Sequence, residues 1–375
     1  MAAEPLPDPP ALRLGRRDRA FAAMEEHDLD VLVLGRVANI RYVSGVPILW
    51  NAGTRPYGPG CVAVRATRDI HVMSTWDEAV PDDIPHDHLY GITWNPMNMV
   101  EVLRGIDAGA RRVGTDAISP LFANLLPMAF PGAEIVDAGP ALRAARRIKT
   151  PEEVAAIRTS VGVADHALAA AIAELRPGAT ERELTGVYMD AMASCGITTP
   201  ATQDVVRITS ARSDCDRAIE VGDLVAFDAG VVADGYAGEV GRTWPVGTNG
   251  HAAALGELAG RWERLWGELL GACRPGAPAS DLFEAHRTAG EPVPTAPVAR
   301  GLGLGFDDPV VTRDLPDTAA RETLDPGVVL VITACVFDDA VGSLIAHQPV
   351  HIGADGPEVL SSSPFWDPDG PGGQP

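Results

Sequence analysis

The chain has 375 residues, more than one average domain, which favours two domains. Apolar residues make up 46% of the sequence, enough to build a sizeable core. The 51 Asp and Glu residues outnumber the 30 Lys and Arg residues, and the formal net charge is −21. This charge argues against nucleic acid and anionic membranes as partners, because both are themselves negatively charged.

Neither a membrane anchor nor a secretory signal is expected. The longest apolar runs, such as Leu224–Phe227 and Val328–Ile332, have the length of a strand, whereas a bilayer span needs roughly 20 residues. The first residues lack the basic and apolar regions of a signal peptide. The five cysteines form no CxxC pair, which argues against a disulfide framework or a zinc motif. We therefore expect a cytoplasmic protein.

Helical and strand-like patterns alternate along residues 12–148. Leu12–His27 has amphipathic helical spacing, and Asp30–Gly35 has the length of a buried strand. Further strands are predicted at Gly60–Val64, His71–Met73, Arg112–Gly114 and Glu134–Val136, and further helices at Asn98–Gly105 and Leu121–Met128. Ala141–Ile148 is predicted to be a helix or a basic connector. This alternation predicts a small α/β domain at 12–148. The Pro-rich residues 1–11 are predicted to be a disordered leader.

A second domain is predicted at residues 149–366. Thr150, Pro151 and Glu153 have the order of an N-cap, a first helical residue and a capping-box acid. Later helices are predicted at Thr180–Ala193, Ala252–Leu270 and Asp281–Ala289, and strands at Asp223–Val232, Gly235–Val246, Val328–Phe337 and Gln348–Ile352. Such segregation of helices and strands is typical of an α+β domain with a curved antiparallel sheet. The Gly- and Pro-rich residues 367–375 are predicted to be a disordered tail.

Several segments, taken together and in order, resemble the creatinase, aminopeptidase P and prolidase family. They are Asp30–Gly45 (DVLVLGRVANIRYVSG), Ile148–Ile157 (IKTPEEVAAI), Glu220–Thr243 (EVGDLVAFDAGVVADGYAGEVGRT), Arg300–Pro309 (RGLGLGFDDP), Leu324–Ile332 (LDPGVVLVI) and Asp355–Leu360 (DGPEVL). The resemblance implies a pita-bread catalytic domain of the α+β class, preceded by a smaller creatinase N-terminal-like α/β domain. It also implies a homodimer whose partner N-terminal domain lies near the active site.

Family peptidases hold two divalent cations with two Asp, one His and two Glu, a set of hard oxygen ligands and one imidazole. In this chain, the positions of the two Asp hold Asp228 and Glu239, and the position of the His holds Arg300. The positions of the two Glu hold Thr333 and His347. The last position depends on an offset from Asp355, and Ala346 and Gln348 are the neighbouring alternatives.

These substitutions change the charge of the expected site. A guanidinium is effectively always protonated, so Arg300 is not a metal ligand. Thr333 is neutral where the family has a carboxylate. Two adjacent cations would therefore lack compensating negative charge, and a two-metal aminopeptidase is not expected.

Our main hypothesis is a metal-independent, creatinase-like hydrolase or lyase without a cofactor. In this interpretation His347 is the general acid and base, and Glu239 and Asp228 orient it or bind a cationic group of the substrate. Arg300 holds a carboxylate or stabilises developing negative charge. The substrate would be a small, carboxylate-bearing amino-acid or guanidino compound, and the reaction C–N hydrolysis or elimination.

Two alternatives remain open. In one, Asp228, Glu239 and His347 hold a single metal ion, and Arg300 takes the place of the other cation. In the other, the protein is a catalytically inactive binding or regulatory protein. The two carboxylates then satisfy Arg300 and Arg242 in a structural ion network.

Besides Arg300, five residues are candidates for substrate binding. Trp50, Arg55 and Tyr57 follow the YVSG segment, in a region that reaches the partner's cleft in creatinase-like dimers. Arg55 would bind a substrate carboxylate there, and an ordinary surface arginine is the alternative. Asp307 would bind a substrate ammonium group or terminate a loop, and Thr333 would line the pocket.

Overall fold

A computed structural model describes residues 8–47, 58–73, 79–91, 95–106, 109–116, 119–202, 205–209 and 217–367 of the chain. The chain divides into an N-terminal unit, Met1–Glu152, and a C-terminal unit, Glu153–Pro375. In the described part of the chain, no helix has both the length and the apolar character needed to cross a membrane.

The N-terminal unit is an α/β layer built on a six-stranded sheet. Its helices are α1 (Pro10–Glu26), α2 (Val37–Ser44), α3 (Pro96–Ile106), α4 (Pro120–Ala129) and α5 (Gly139–Arg147). Its strands are β1 (Val31–Leu34), β2 (Cys61–Val64), β3 (Asp69–Met73), β4 (Leu89–Tyr90), β5 (Arg112–Thr115) and β6 (Glu134–Asp137). The strand order is β4-β3-β2-β1-β5-β6, with β1 parallel to β5 and antiparallel to β2.

The apolar periodicity accounts for this layer. All four residues of β1 are buried, as expected for a strand covered on both faces. Helices α3 and α4 contribute Leu103 and Leu126 to the same core. Every predicted helix and strand of this unit is present, whereas α2 and β4 were not predicted.

The predicted disordered leader, residues 1–11, overlaps folded structure. Helix α1 begins at Pro10, and Asp8 is buried. The Asp8 carboxylate accepts hydrogen bonds from the guanidinium groups of Arg16 and Arg41. A buried carboxylate is tolerated when it is paired and hydrogen-bonded, so Asp8 belongs to the fold rather than to a leader.

The described part of the C-terminal unit contains five helices and an antiparallel sheet. The helices are α6 (Pro151–Ala173), which begins just before the unit boundary, α7 (Glu181–Ser194), α8 (Ala252–Ala272), α9 (Asp281–Ala289) and α10 (Pro316–Arg321). The strands are β7 (Val206–Ile208), β8 (Leu224–Ala233), β9 (Tyr236–Pro245), β10 (Ala277–Pro278), β11 (Ala299–Gly303), β12 (Gly305–Val311), β13 (Thr323–Leu324), β14 (Val329–Asp338), β15 (Gly342–Gly353) and β16 (Gly356–Val359). The main sheet has the order β12-β11-β14-β15-β9-β8-β7, and β16 pairs with β15.

The β8–β9 hairpin is set by its turn. Asp234 and Gly235 have φ angles of 49° and 81°, and they join the two strands as a two-residue loop. Positive φ at both central residues is the requirement of a type I′ turn, which Asp-Gly satisfies. The tight turn predicted at Asp234-Gly235 is confirmed. It fixes the register of β9 against β8, and therefore the placement of every side chain on the two strands.

Helix α6 lies unusually close to β9. A Cβ atom at Gly238 would overlap the backbone of Ser160 and would lie 2.5 Å from the amide nitrogen of Val161. Ser160 Oγ also donates a hydrogen bond of 3.0 Å to the Tyr236 carbonyl. Glycine at 238 is therefore required by backbone-to-backbone packing.

We expect Gly238→Ala to lower the free energy of unfolding by about 1–3 kcal/mol, because the added methyl group overpacks this contact. Urea denaturation measures the change. The control is Gly162→Ala on α6, where an added Cβ meets nothing within 4 Å. Gly162→Ala should leave the free energy of unfolding unchanged or raise it by up to about 1 kcal/mol, because alanine is the better helix former at an exposed helical position. Equal stability of Gly238→Ala and the wild type would contradict the packing argument.

Candidate metal centre

Three neighbouring strands bring the candidate residues together. Asp228 on β8 pairs in register with Gly241 on β9, and Gly241 in turn pairs with His347 on β15. Glu239 lies two residues before Gly241, so its side chain projects from the same face of β9. The register thus places two carboxylates and one imidazole on one face of the sheet.

Gly241 makes room for the imidazole. A Cβ atom at this position would lie 2.5 Å from Cδ2 and 2.8 Å from the backbone nitrogen of His347. Any side chain at 241 would therefore displace His347. Sequence reasoning missed this residue, although a glycine inside a strand often marks a close approach of another group.

The three side chains form a ligand set. Asp228, Glu239 and His347 each offer one potential ligand atom, and these three atoms all lie within 4.8 Å of one another. Asp228 Oδ1 and Glu239 Oε2 are buried and have no hydrogen-bond partner among the described residues. Buried carboxylate oxygens are costly without a partner, so a cation is the natural occupant. Two carboxylates and one imidazole suit Zn²⁺ and similar divalent ions, and the residues present therefore fit one metal ion.

Arg300 is the charged neighbour of this set. Its guanidinium forms an ion pair with Glu239 Oε1, and Glu239 is fully buried. The Arg300 side chain keeps 20% of its exposure and stacks over Phe306, with 4.4 Å from its Cζ to the ring centroid. Arg300 on β11 thus compensates one carboxylate oxygen of Glu239, while Oε2 remains available.

Thr333 and His347 face each other across β14 and β15. They pair in register, and Thr333 Oγ1 lies 3.0 Å from His347 Nδ1. Thr333 is 4% exposed. The contact holds the ring and leaves the other nitrogen, Nε2, for a ligand or a proton.

The neighbouring alternatives to His347 lie elsewhere. Ala346 is buried, and the Gln348 carbonyl Oε1 accepts a hydrogen bond of 2.6 Å from Arg242 Nη2. The residue that faces Thr333 and joins the carboxylates is His347.

Arg242 has a different role from the one the ion-network hypothesis gave it. It is 1% exposed and donates to the carbonyls of Ser363 and Gly241 as well as to Gln348. Its Cζ lies 4.1 Å from the centroid of the Phe365 ring. Burial lowers the pKa of Arg242 to about 10, so the side chain stays charged at neutral pH. None of its described hydrogen bonds goes to Asp228 or Glu239, and it instead anchors the segment 361–365 against β9.

The remaining candidates are placed as follows. Asp307 lies on β12 and pairs in register with Gly301, next to Arg300, and it is half-buried. Trp50, Arg55 and Tyr57 lie outside the described residues. The structure therefore brings together Asp228, Glu239, His347, Arg300 and Thr333.

Comparison with known families identifies both units. Residues 155–352 match the model of metallopeptidase family M24, which is more than half of the chain, and residues 16–148 match the creatinase/prolidase N-terminal domain. The chain belongs to metallopeptidase family M24. The predicted pita-bread catalytic domain and creatinase N-terminal domain are confirmed, as is the interpretation as an enzyme of this family.

Relatives of this M24 protein span most of its length. A putative dipeptidase, YkvY, of Bacillus subtilis is 26% identical over 72% of this chain and 76% of its own. An Xaa-Pro dipeptidase of Pyrococcus horikoshii is 23% identical over 91% and 95%. Among solved structures, the prolidase of Pyrococcus horikoshii has a TM-score of 0.77 at 21% identity and covers 93% of this chain and 99% of its own. At this identity the structural likeness shows the fold.

The hypothesis of a metal-independent, creatinase-like enzyme is wrong. The chain belongs to a metallopeptidase family, and Xaa-Pro dipeptidases are among its relatives. Asp228, Glu239 and His347 also lie close enough together to bind an ion. The error was to treat the loss of two family ligands as the loss of metal binding, although three donors still converge.

We expect Thr333→Val to weaken the binding of Zn²⁺ at this centre by about 10-fold or more, because the groups that orient a metal-binding imidazole contribute 10- to 100-fold in affinity. Isothermal titration calorimetry of chelator-treated protein measures the change. Thr159→Val is the control, since Thr159 is exposed on α6 and its hydroxyl donates to the Ala155 carbonyl of the same helix. Unchanged affinity in Thr333→Val would remove Thr333 from the site.

Proposed function

We propose that the chain is a hydrolase of short peptides, such as dipeptides, that works with one divalent metal ion held by Asp228, Glu239 and His347. The observation that carries the proposal is the pair of buried carboxylate oxygens, one on Asp228 and one on Glu239, without a partner among the described residues and close to an imidazole. When bound, the ion would supply a Lewis acid that polarises a peptide carbonyl and makes water a better nucleophile.

Arg300 and Thr333 support a single ion rather than two. By the family resemblance, the second ion would need ligands at these two positions. Arg300 instead brings a permanent positive charge that contacts Glu239, and Thr333 is neutral and engaged with His347. A second cation at this place would meet a guanidinium at short range, and like charges in a poorly solvated site repel strongly.

The chain's own residues have distinct parts in this proposal. Thr333 fixes the His347 ring, and Glu239 is held by Arg300. Arg300 keeps some exposure and its guanidinium has several donors, so it can also bind the carboxylate of a small substrate. Binding of that carboxylate would orient a dipeptide with its scissile carbonyl toward Asp228 and His347.

The substrate class rests on two supports. Relatives over most of the chain carry the names putative dipeptidase and Xaa-Pro dipeptidase. A free carboxylate close to the scissile bond distinguishes dipeptides from long peptides and suits the guanidinium of Arg300. The homodimer, the cytoplasmic location and the substrate contacts of Arg55, Trp50, Tyr57 and Asp307 remain part of the proposal.

The number of metal ions is tested with one variant that removes a ligand and another that adds ligands. We expect His347→Ala to lower the metal content by one ion per chain, because it removes one of three protein ligands. The double variant Arg300→His, Thr333→Glu should raise the content by one ion, because it restores donors and removes the competing charge. Native mass spectrometry with Zn²⁺ counts the ions. A wild-type protein that loses two ions in His347→Ala would show a two-metal centre.

The reaction is tested with a panel of dipeptides that includes Xaa-Pro sequences, followed by chromatography of the free amino acids. We expect hydrolysis to stop after chelation and to return when the ion is restored. N-terminally and C-terminally blocked dipeptides serve as matched substrates, and amidation of the C-terminus should raise KM through loss of the contact with Arg300. A metal-loaded, folded protein that hydrolyses no member of the panel would refute the proposal and favour a binding protein.

A further inference from the structure

A second group of metal-type ligands lies in the N-terminal unit. Asp69, His71 and His88 each offer one potential ligand atom, and these three atoms all lie within 4.8 Å of one another. The matched family domains and the proposed function give these residues no role. The three side chains belong to β3 and to the short 3₁₀ helix, His86–His88, that precedes β4.

The sheet explains why these residues meet. Asp69 and His71 are two residues apart on β3, so they project from the same face. Strand β4 is parallel to β3, with Val72 opposite Leu89. His88 immediately precedes Leu89 and therefore comes beside His71, and the two rings stack with centroids 4.1 Å apart and an angle of 28°.

Both imidazoles are held through the same ring nitrogen. His88 Nδ1 lies 3.2 Å from the Ile70 carbonyl, which only accepts, so Nδ1 carries the proton and Nε2 has a free lone pair. His71 Nδ1 lies 3.3 Å from the Tyr90 hydroxyl. A hydrogen bond from the non-ligating nitrogen to a carbonyl or another oxygen is the usual support of a metal-binding histidine.

The surroundings of His71 also suit a cation. His71 is only 8% exposed, and it stands beside the carboxylate of Asp69 on the same face of β3. Imidazole nitrogens and a carboxylate oxygen are donors that a metal ion takes from a protein.

We propose that Asp69, His71 and His88 form a second metal site, one that binds a divalent transition-metal ion of the zinc type. Two imidazole nitrogens and one carboxylate oxygen are a common three-residue set for such ions, and the fourth position is left for water or another ligand. The site lies near the sheet edge formed by β4, and it shares no residue with the centre at Asp228, Glu239 and His347.

The test uses the full chain with the catalytic centre disabled by Asp228→Asn and His347→Ala. Chelator-treated protein of this background is titrated with Zn²⁺ in a calorimeter and examined by native mass spectrometry. We expect one Zn²⁺ per chain. Adding His88→Ala should abolish this binding, whereas adding His86→Ala should leave it unchanged, since His86 is exposed on the same 3₁₀ helix and lies outside the ligand set.

Asp69→Asn provides a second variant that keeps the side-chain volume. It should weaken Zn²⁺ binding in the same background, and circular dichroism verifies that each variant is folded. Imidazole resonances of His71 and His88 should shift on addition of Zn²⁺. A background protein that binds no Zn²⁺, or one whose binding is unchanged by both His88→Ala and Asp69→Asn, would overturn the proposal and leave the two rings as packing residues.

Discussion

The contact between Arg300 and Glu239 is the constraint on which the proposed chemistry of this protein depends. Glu239 is fully buried, and a carboxylate in that position needs a positive partner. Arg300 supplies a positive charge, and it engages one oxygen of Glu239 while the other remains open. A permanent cation of the protein thus stands where the family resemblance implies a ligand for a second metal ion. The proposed single ion is a direct consequence of that exchange.

The sheet register keeps three potential metal ligands together even though Arg300 stands in the place of a family ligand. Gly241 pairs with both Asp228 and His347, and its missing side chain leaves the space that the imidazole fills. The turn at Asp234-Gly235 sets this register, because a shift by one residue would move Glu239 to the other face of β9. A local rule of turn chemistry therefore decides the composition of the ligand set.

The sequence predicted the fold class, which is confirmed, and its family motifs picked out Asp228, Glu239, Arg300 and His347, which the structure brings close together. The prediction of a metal-independent enzyme was wrong because it considered the substitution at each ligand position separately from the others. The replacement of a carboxylate by His347 removes a charge but keeps a donor, and only the register shows that this donor meets the other two. The cluster at Asp69, His71 and His88 had no motif at all, because it depends on the parallel pairing of β3 with the short, unpredicted strand β4.

The charges of the centre connect the number of ions to the choice of substrate. Asp228 and Glu239 bring two negative charges, and Arg300 returns one positive charge. A single divalent ion then leaves one net positive charge among these groups, which the carboxylate group of a substrate offsets locally. Two divalent ions would leave three, which a single carboxylate group does not offset, and the desolvation cost of such a site would be severe. A one-metal centre with an arginine is therefore suited to small substrates with a free carboxylate, and in the proposed function Arg300 both opposes a second ion and binds that carboxylate.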